Sequence, residues 1–468
     1  MGIERINHFV VLMLENRSFD HMLGYLRSPA YPIAGLTGDE WNPDDPHREN
    51  PDKIFVTPDA NYYGDLNNPS HSLVPGAISQ LFGLSDNEIL QISTYPLTPP
   101  PNNGFVYNYA QQTDAPPPPT IGPNIMKCFS PRALPALAGL APEFAICDHW
   151  FSSVPGPTWP NRWYVHTGTS DGYAGGSARL SDRDTIYSRL SSAGLSWNIY
   201  FHDLPQSFSL TQLWKRPFLG RFRPFPHFFE EDVRTGRLPA YSFIEPRYFD
   251  FGSARANDQH PPNDVRFGEQ LIASVYNALR NSAVWNDTLL VILYDENGGL
   301  YDHVQPGDTI VPDGKTGRDN LGDHWVTFDF NRFGVRVPAV IVSPLIPRRK
   351  IDSNIYDHTA VLAALEQRFH LQLLGAREKT VDKLADIVSL DTPRTDTPTH
   401  IDPPPVEADQ TRPEAALSEF QRALIDLADS LPISRPHTLQ ARSAAARSSV
   451  PAAAEYVTSV AEAFLREA

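Results

Sequence analysis

Short apolar runs along the chain alternate with stretches in which apolar residues recur every three or four positions. Short runs bounded by turn residues predict buried strands, and the three-to-four spacing predicts amphipathic helices. The predicted strands are residues 9–14, 144–147, 197–201, 241–244, 289–294 and 337–342. Strands separated by helices in this way predict an α/β fold, in which a mostly parallel sheet is sandwiched between helices.

Two predicted helices show the apolar spacing most clearly. The first presents one apolar face, made of Leu271, Ile272, Val275, Tyr276 and Leu279. The second, Thr359–Phe369, repeats the spacing after the last predicted strand. Faces of this kind pack against a sheet, which supports the layered α/β arrangement.

Changes in composition divide the chain. We predict one main domain over residues 1–390, followed over residues 391–468 by a linker and amphipathic helices that pack on or beside it. Residues 96–123 are rich in Pro and Asn, and long loops inside a compact domain usually serve a function. We therefore predict a loop-rich cap, inserted at about residues 60–130 and 205–235.

Composition and charge restrict the classes of function. The 468 residues carry a net charge of −16, which disfavours a nucleic-acid partner. The apolar runs are far shorter than the roughly 20 residues of a membrane span, and the first residues predict a buried strand and not a signal peptide. The default expectation is a cytoplasmic protein, or a secreted or periplasmic one if a leader was removed. Cys128 and Cys147 could form one disulfide bond or remain free thiols.

Two predicted strands end in oxygen-bearing side chains. Glu15-Asn16 follows the first strand and Asp295-Glu296 follows the fifth. Ligands of open α/β sheets bind beyond the carboxyl ends of the strands. Three carboxylates that meet there require a cation or shared protons, and oxygen ligands favour a hard divalent ion such as Mg²⁺ or Ca²⁺, with Zn²⁺ possible. The alternative is that these residues merely cap helices.

A hydroxyl and several histidines are further candidates for chemistry. Thr158 lies just ahead of Pro160, a residue favoured in the first turn of a helix. A hydroxyl at a helix N-terminus can bind a phosphate or become an alkoxide at reduced cost, although it can also be an ordinary helix cap. Candidate histidines stand near strand ends or helix starts, or in a loop, and each could equally be structural: His71, His260, His303 and His358.

Several motifs together resemble one known family. They include ENRSFDH near the start, NPSHS, the stretch PGPTWPNRW, NDQHPPND, VILYDENGG and YDHTAV, in that order. This pattern resembles the phosphoesterase family, which contains bacterial and plant non-specific phospholipases C and a group of acid phosphatases. The resemblance implies an alkaline-phosphatase-like α/β fold with one divalent metal ion.

The resemblance also implies roles for individual residues. It makes Thr158 the nucleophile and implies a metal cluster of Glu15, Asn16, Asp295, Glu296 and Thr158. It implies that histidines contact the phosphate or the leaving group, namely His71, His260 and His358. Asn161 and His303 join them as further candidates for the catalytic site, and Asn161 could instead support the helix start.

The function implied is that of a phospholipase C, which releases the phosphorylated headgroup of phospholipids such as phosphatidylcholine through a phosphothreonine intermediate. A broad acid phosphatase acting on small phosphate esters is the alternative, and a non-catalytic binder of phosphate esters is a third possibility. Residues 214–229 interleave basic and aromatic side chains, which would suit a lipid headgroup surface or simply a packed loop. We expect at most peripheral membrane contact and leave the oligomeric state open.

Overall fold

The computed structural model describes residues 2–112, 121–381, 384–406, 416–434 and 437–467. The strands in these ranges are β1 (His8–Leu14), β2 (Trp41–Pro43), β3 (Lys53–Phe55), β4 (Ala145–Cys147), β5 (Trp197–Phe201), β6 (Phe222–Pro224), β7 (Tyr241–Ile244), β8 (Thr288–Tyr294), β9 (Gly317–Leu321), β10 (His324–Phe328), β11 (Ala339–Val342) and β12 (Lys350–Asp352). The α-helices are α1 (Phe19–Leu23), α2 (Ile78–Phe82), α3 (Asp86–Ile89), α4 (Phe105–Ala110), α5 (Leu137–Glu143), α6 (Thr158–Thr167), α7 (Ile186–Ser192), α8 (Arg216–Leu219), α9 (Phe225–Arg234), α10 (Val265–Arg280), α11 (Thr359–Phe369), α12 (Glu419–Ser430), α13 (His437–Ala446) and α14 (Val450–Glu467).

Eight of these strands form the central sheet, in the order β12-β4-β11-β8-β1-β7-β5-β6. The central strand β1 pairs in parallel with β8 on one side and with β7 on the other. Within this sheet β11 alone runs against its neighbours. All six predicted strands lie in it, so the predicted α/β fold with a mostly parallel sheet is confirmed.

The central strands are apolar on both faces. All seven residues of β8 are buried, although successive side chains of a strand point to opposite faces. This pattern is typical of a parallel sheet that is covered on both sides. Among the helices that contact the sheet are α5, α7, α9 and α10. The predicted apolar face of α10 is buried, and α11 has the predicted bounds.

Two expectations about the cap need correction. Residues 205–235 were expected in the cap, but they contain β6, the edge strand of the central sheet, and α9, which packs on β5 and β6. Residues 96–123 were expected to be irregular, but they contain α4, while residues 113–120 lie outside the described ranges. Between β1 and β4 the chain builds a separate apolar cluster that includes Phe105 and Tyr109.

The C-terminal helices share the main hydrophobic core. Phe420 of α12 and Phe464 of α14 belong to the same buried cluster as the strands of the sheet. The Phe464 ring lies 5.0 Å from the ring of Phe208. Both cysteines, Cys128 and Cys147, are buried free thiols, which decides between the two states that the sequence allowed. None of the described helices has the length and apolar character of a membrane span.

Candidate active site

The ends of β1 and β8 lie side by side, because the two strands pair in parallel. Leu14 of β1 lies opposite Tyr294 of β8, so Glu15 and Asp295 follow paired positions. The next residue, Asn16, adopts a left-handed backbone conformation with φ of 54°. Its N–H donates to Asp295 Oδ1 over 3.0 Å. The turn after β1 therefore folds back over the end of β8.

The turn that follows β8 requires a glycine. Gly298 has a φ of 62°, and a Cβ atom there would collide with the carbonyl oxygen of Asn16. Glu296 Oε2 accepts a hydrogen bond of 2.6 Å from the N–H of the same glycine. The turn after β8 thus presses against the turn after β1 and brings Glu296 to the same edge of the sheet.

Thr158 reaches this edge from a different part of the chain. It is the first residue of α6, and its hydroxyl donates to Asn16 Oδ1 over 3.1 Å. Only 2% of Thr158 is exposed. The hydroxyl therefore lies at the positive end of a ten-residue helix and beside the predicted oxygen cluster.

Asn161 holds the loop that precedes α6. Its Nδ2 donates to the carbonyl oxygens of Val154, Gly156 and Pro157, and its Oδ1 accepts from the N–H of Val154 over 3.0 Å. Both polar atoms of the Asn161 side chain are therefore engaged with the backbone of this loop. Asn161 thus fixes the position of Thr158 through the loop, which is the supporting role that the sequence allowed.

A buried arginine that the sequence analysis did not assign balances part of the acidic charge. Arg162 Nε donates to Glu15 Oε1 over 3.1 Å and lies 3.5 Å from Asp295 Oδ2. All three side chains are fully buried. The signal was present in the sequence, because Arg162 lies four residues after Thr158 and therefore on the same face of the helix.

The carboxylates of the site are only partly compensated. Burial raises the pKa of Glu15 well above its ordinary value, against the opposing effect of Arg162. Burial and the neighbouring Asp295 raise the pKa of Glu296 as well. Three buried oxygens accept no hydrogen bond from the described residues: Glu15 Oε2, Asp295 Oδ2 and Glu296 Oε1. Such oxygens attract protons or a cation.

The side chains present fit a divalent cation. Unpartnered carboxylate oxygens of Asp295 and Glu296, together with the hydroxyl of Thr158 and the amide oxygen of Asn16, are the hard donors that such an ion prefers. Glu15 also keeps one unpartnered oxygen, Oε2, while its Oε1 accepts from Arg162. These residues would hold the ion, whose chemistry would be to stabilise negative charge on oxygen.

His358 contacts the site through the backbone. Its Nε2 bonds to the carbonyl oxygen of Asp295, and its Nδ1 accepts from Trp150 Nε1 over 3.3 Å. Because the indole N–H is always a donor, the imidazole must be neutral with its proton on Nε2. Burial correspondingly lowers the pKa of His358. Both ring nitrogens are therefore engaged with protein groups.

His260 is brought to the site by the segment that precedes α10. The carbonyl oxygen of Asp258 accepts from the N–H of Glu15 over 2.9 Å, and Asp258 Oδ1 accepts from the N–H of His260. His260 Nδ1 bonds to the carbonyl oxygen of Pro261, while its buried Nε2 has no hydrogen-bond partner among the described residues. Burial lowers the pKa of His260 to about 3, so the ring is neutral and its free Nε2 is an acceptor.

His71 comes from the loop ahead of α2 and lies against His260. The two ring centroids are 5.8 Å apart, at an angle of 81°. His71 Nδ1 bonds to the carbonyl oxygen of Pro69 over 2.8 Å. A Cβ atom at Gly299 would collide with the carbonyl oxygen of Ser70, so this loop also packs on the turn after β8.

His303 belongs to a different cluster. Its Nδ1 lies 2.6 Å from Asp20 Oδ2. Within the ranges that the structure describes, Asp20, Asp302 and His303 are the group whose potential metal-binding atoms all lie within 4.8 Å of one another. Arg336 donates to both carboxylates, to Asp302 Oδ1 over 2.8 Å and to Asp20 Oδ1 over 3.1 Å. The guanidinium already supplies the positive charge that a metal ion would bring there.

Asp258 is an acidic residue beside Glu15 that the sequence analysis also did not assign. Its carboxyl is buried, and burial raises its pKa well above the ordinary value. It stands in NDQHPPND, where only His260 was assigned. The sequence around Asp258 does not indicate that this residue lies at the site, because Glu15, which donates to its carbonyl oxygen, is distant in sequence.

Comparisons with known proteins identify the family of this chain and indicate a hydrolase. The chain belongs to the phosphoesterase family, whose model matches residues 6–372. Non-specific phospholipase C6 of Arabidopsis thaliana is 37% identical over 442 residues, which cover 90% of this chain and 80% of that protein. Phospholipase C B of Mycobacterium tuberculosis is 27% identical, with coverage of 92% and 87%.

Solved structures with a similar arrangement cover about half of the chain. A protein of the alkaline phosphatase superfamily from Vibrio parahaemolyticus is 13% identical, with a TM-score of 0.31, and the match covers 56% of this chain and 64% of that one. The lipoteichoic acid synthase LtaP of Listeria monocytogenes is 14% identical, with a TM-score of 0.33, and the match covers 55% and 70%.

Proposed function

We propose that this protein is a phospholipase C that hydrolyses phosphatidylcholine and similar phospholipids through a phosphothreonine at position 158. The observation that carries the proposal is the hydroxyl of Thr158, which begins α6 and donates to Asn16 at the joined ends of β1 and β8. The names of the plant and bacterial relatives support the choice of substrate.

The nucleophile is prepared by its surroundings. Oγ of Thr158 attacks phosphorus in line and forms the new P–O bond while the bond from phosphorus to the glycerol oxygen breaks. The threonine proton leaves to one of the unpartnered carboxylate oxygens of the cluster. The amide groups at the start of α6 stabilise negative charge on the phosphoryl oxygens. A bound divalent cation would add to that stabilisation.

His260 acts on the second half of the reaction. Its neutral ring presents Nε2 as an acceptor. In that state it cannot protonate the departing alcohol, so water supplies that proton. Nε2 instead accepts a hydrogen bond from the water that attacks the phosphothreonine and so orients that water, whose proton passes to the departing Thr158 oxygen as the phosphorylated headgroup is released. His358 is a positioning residue for Asp295, since both of its nitrogens are engaged.

A direct test is to trap the covalent intermediate. After the enzyme is mixed with phosphatidylcholine and quenched in acid, mass spectrometry should find the phosphorylated headgroup, here phosphocholine, on the peptide that contains Thr158. Thr158→Ala should abolish turnover and labelling without unfolding the protein, and Thr158→Ser should retain both. Normal turnover by the folded Thr158→Ala protein would refute the proposal.

Thr167 offers a matched control. It lies on the same helix and is buried, but its hydroxyl donates to the carbonyl oxygens of Trp163 and Thr169 and not to the oxygen cluster. Thr167→Ala should therefore keep the labelling at Thr158. The acid phosphatase alternative is tested in parallel, by comparing phosphocholine release from phosphatidylcholine with phosphate release from a soluble aryl phosphate.

A further inference from the structure

The residue that precedes His260 has an unusual backbone conformation. Gln259 has a φ of 70°, in the left-handed region that residues with a Cβ atom seldom adopt. It is fully buried. The surrounding protein must therefore hold Gln259 in this conformation, and such strain clusters at functional sites. Because the backbone angles of Gln259 determine the direction in which the chain continues, they also determine where His260 lies.

The side chain of Gln259 is bound at both of its polar atoms. Its Oε1 accepts a hydrogen bond from the hydroxyl of Tyr294, the last residue of β8. Its Nε2 donates to the carbonyl oxygen of Val265 over 2.9 Å. A Cβ atom at Gly268 would collide with Cγ of Gln259, so α10 leaves room for this side chain. Gln259 is thus fixed to the central sheet and to α10.

The carbonyl group of Gln259 is held by Arg17. Nε of Arg17 donates to this oxygen over 2.8 Å. Arg17 lies between β1 and α1, so the bond joins the turn that carries part of the oxygen cluster to the segment that carries His260. A second bond joins the same two segments, from the N–H of Glu15 to the carbonyl oxygen of Asp258 over 2.9 Å. The two bonds set the position of His260 relative to the oxygen cluster.

Arg17 also places a positive charge near His260. Only 3% of Arg17 is exposed, and burial lowers its pKa to about 10, so the guanidinium stays charged at neutral pH. Its Nη1 bonds to Nε2 of His21 over 3.1 Å, which fixes the other side of the guanidinium. Burial is the main cause of the low pKa of His260, and His71 and Arg17 lower that pKa further. Arg17 thus helps to keep the imidazole neutral and its Nε2 an acceptor.

We propose that Arg17 is a positioning residue for the second half of the reaction, because it holds Gln259 and so directs Nε2 of His260 at the attacking water. This inference rests on the proposed function, in which His260 orients that water while Thr158 carries the phosphocholine. Thr158 attacks phosphorus without help from His260, so a change at Arg17 should affect the two halves of the reaction unequally. A displacement of about 1 Å at a reacting group can slow a reaction about a hundredfold.

The test separates the two halves of the reaction by steady-state kinetics on nitrophenylphosphocholine. For this substrate kcat/KM reports the steps up to departure of nitrophenolate, whereas kcat also includes hydrolysis of the phosphothreonine. Arg17→Met should slow that hydrolysis about a hundredfold, so kcat and KM should fall together while kcat/KM stays nearly unchanged. Phosphocholine should then accumulate on Thr158 during turnover, which mass spectrometry of the acid-quenched protein measures. A merely structural role would lower kcat and kcat/KM equally, and that result would overturn the proposal.

Two other variants keep the result clear if Arg17→Met folds poorly. Tyr294→Phe removes only the hydroxyl that donates to Gln259, and it should lower kcat and KM together by a smaller factor. Arg332→Met is the matched control, because Arg332 is also buried and donates to backbone carbonyl oxygens of other loops. It should not raise the labelling of Thr158. Equal labelling in the Arg332 variant would contradict the proposal.

The same measurements separate this inference from the proposed function. If the unaltered enzyme hydrolyses no phosphocholine ester and Thr158 is never labelled, the proposed function is wrong and the inference falls with it. If the unaltered enzyme does both, but the Arg17 and Tyr294 variants lose kcat and kcat/KM equally, the proposed function stands and only the role of Arg17 is wrong.

Discussion

Removing the guanidinium of Arg162 should expose how far it stabilises the buried carboxylates. Arg162→Met keeps most of the volume of the side chain but leaves Glu15 Oε1 without the donor at 3.1 Å and Asp295 without its nearby cation. Breaking one partner of a fully buried ion pair costs about 3–5 kcal/mol, since the remaining charge stays desolvated. We expect a loss of that size in the free energy of unfolding.

A double-mutant cycle identifies the cause of that loss. Glu15→Gln removes the charge that Arg162 neutralises, so the double variant Glu15→Gln/Arg162→Met should be less destabilised than the sum of the single changes, by about 1–3 kcal/mol. The assay is urea unfolding of the full chain, followed by tryptophan fluorescence in the presence of a chelator. The chelator removes any bound metal, so that metal binding does not contribute to the measured free energy of unfolding.

Arg377 supplies the control for the cycle. It is also buried and pairs with Asp357 over 2.9 Å, so Arg377→Met should destabilise the protein to a similar degree. No contact joins Arg377 to Glu15 among those described, and the two changes should therefore add. Additive effects of Arg162→Met and Glu15→Gln, or an unchanged stability of the Arg162 variant, would refute the interpretation of the site.

Three further outcomes follow from the same contacts. Asn161→Ala should lower the stability by about 3 kcal/mol and kcat more than KM, because loop 154–157 loses its buried hydrogen bonds; calorimetry and steady-state kinetics measure both effects. His166, whose pKa burial lowers to about 3, stabilises the fold above its ordinary pKa of about 6.5 and loses that effect as the pH falls, so His166→Phe should flatten the pH dependence of unfolding by about 1.4 kcal/mol per pH unit below that value. Phe420→Ala should cost about 3 kcal/mol and reduce turnover of a soluble ester, since its ring packs 6.0 Å from that of Trp159; an active, equally stable variant would contradict this.

Much of the candidate site was predictable because it depends on strand direction. Glu15-Asn16 and Asp295-Glu296 each follow an apolar run, and parallel strands place such ends at one edge. The parallel order of β1 and β8 then makes the two pairs neighbours. No packing detail is needed for that step, which explains why apolar runs alone predicted the cluster.

The parts that failed depend on contacts with no local signal. The edge strand β6 has the sequence FRP, which is neither long nor apolar enough to be recognised. Its place in the sheet comes from pairing with β5. The sequence also contains no sign of the hydrogen bond from Trp150 that places the proton of His358 on Nε2, because the two residues lie 208 positions apart in sequence.

Charge balance explains why Thr158, as the proposed nucleophile, needs more than a helix terminus. Arg162 is one positive group among the buried carboxylates of Glu15, Asp295 and Glu296, so the cluster is already acidic before Thr158 loses its proton. The helix terminus contributes only about half an elementary charge. Forming an alkoxide beside this cluster therefore requires either a proton on the carboxylates or a bound cation. Burial favours protonated carboxylates, because it raises the pKa of Glu15 and Glu296. The unpartnered oxygens favour a bound cation. Because both compete for the same oxygens, protons and metal should displace each other as the pH changes.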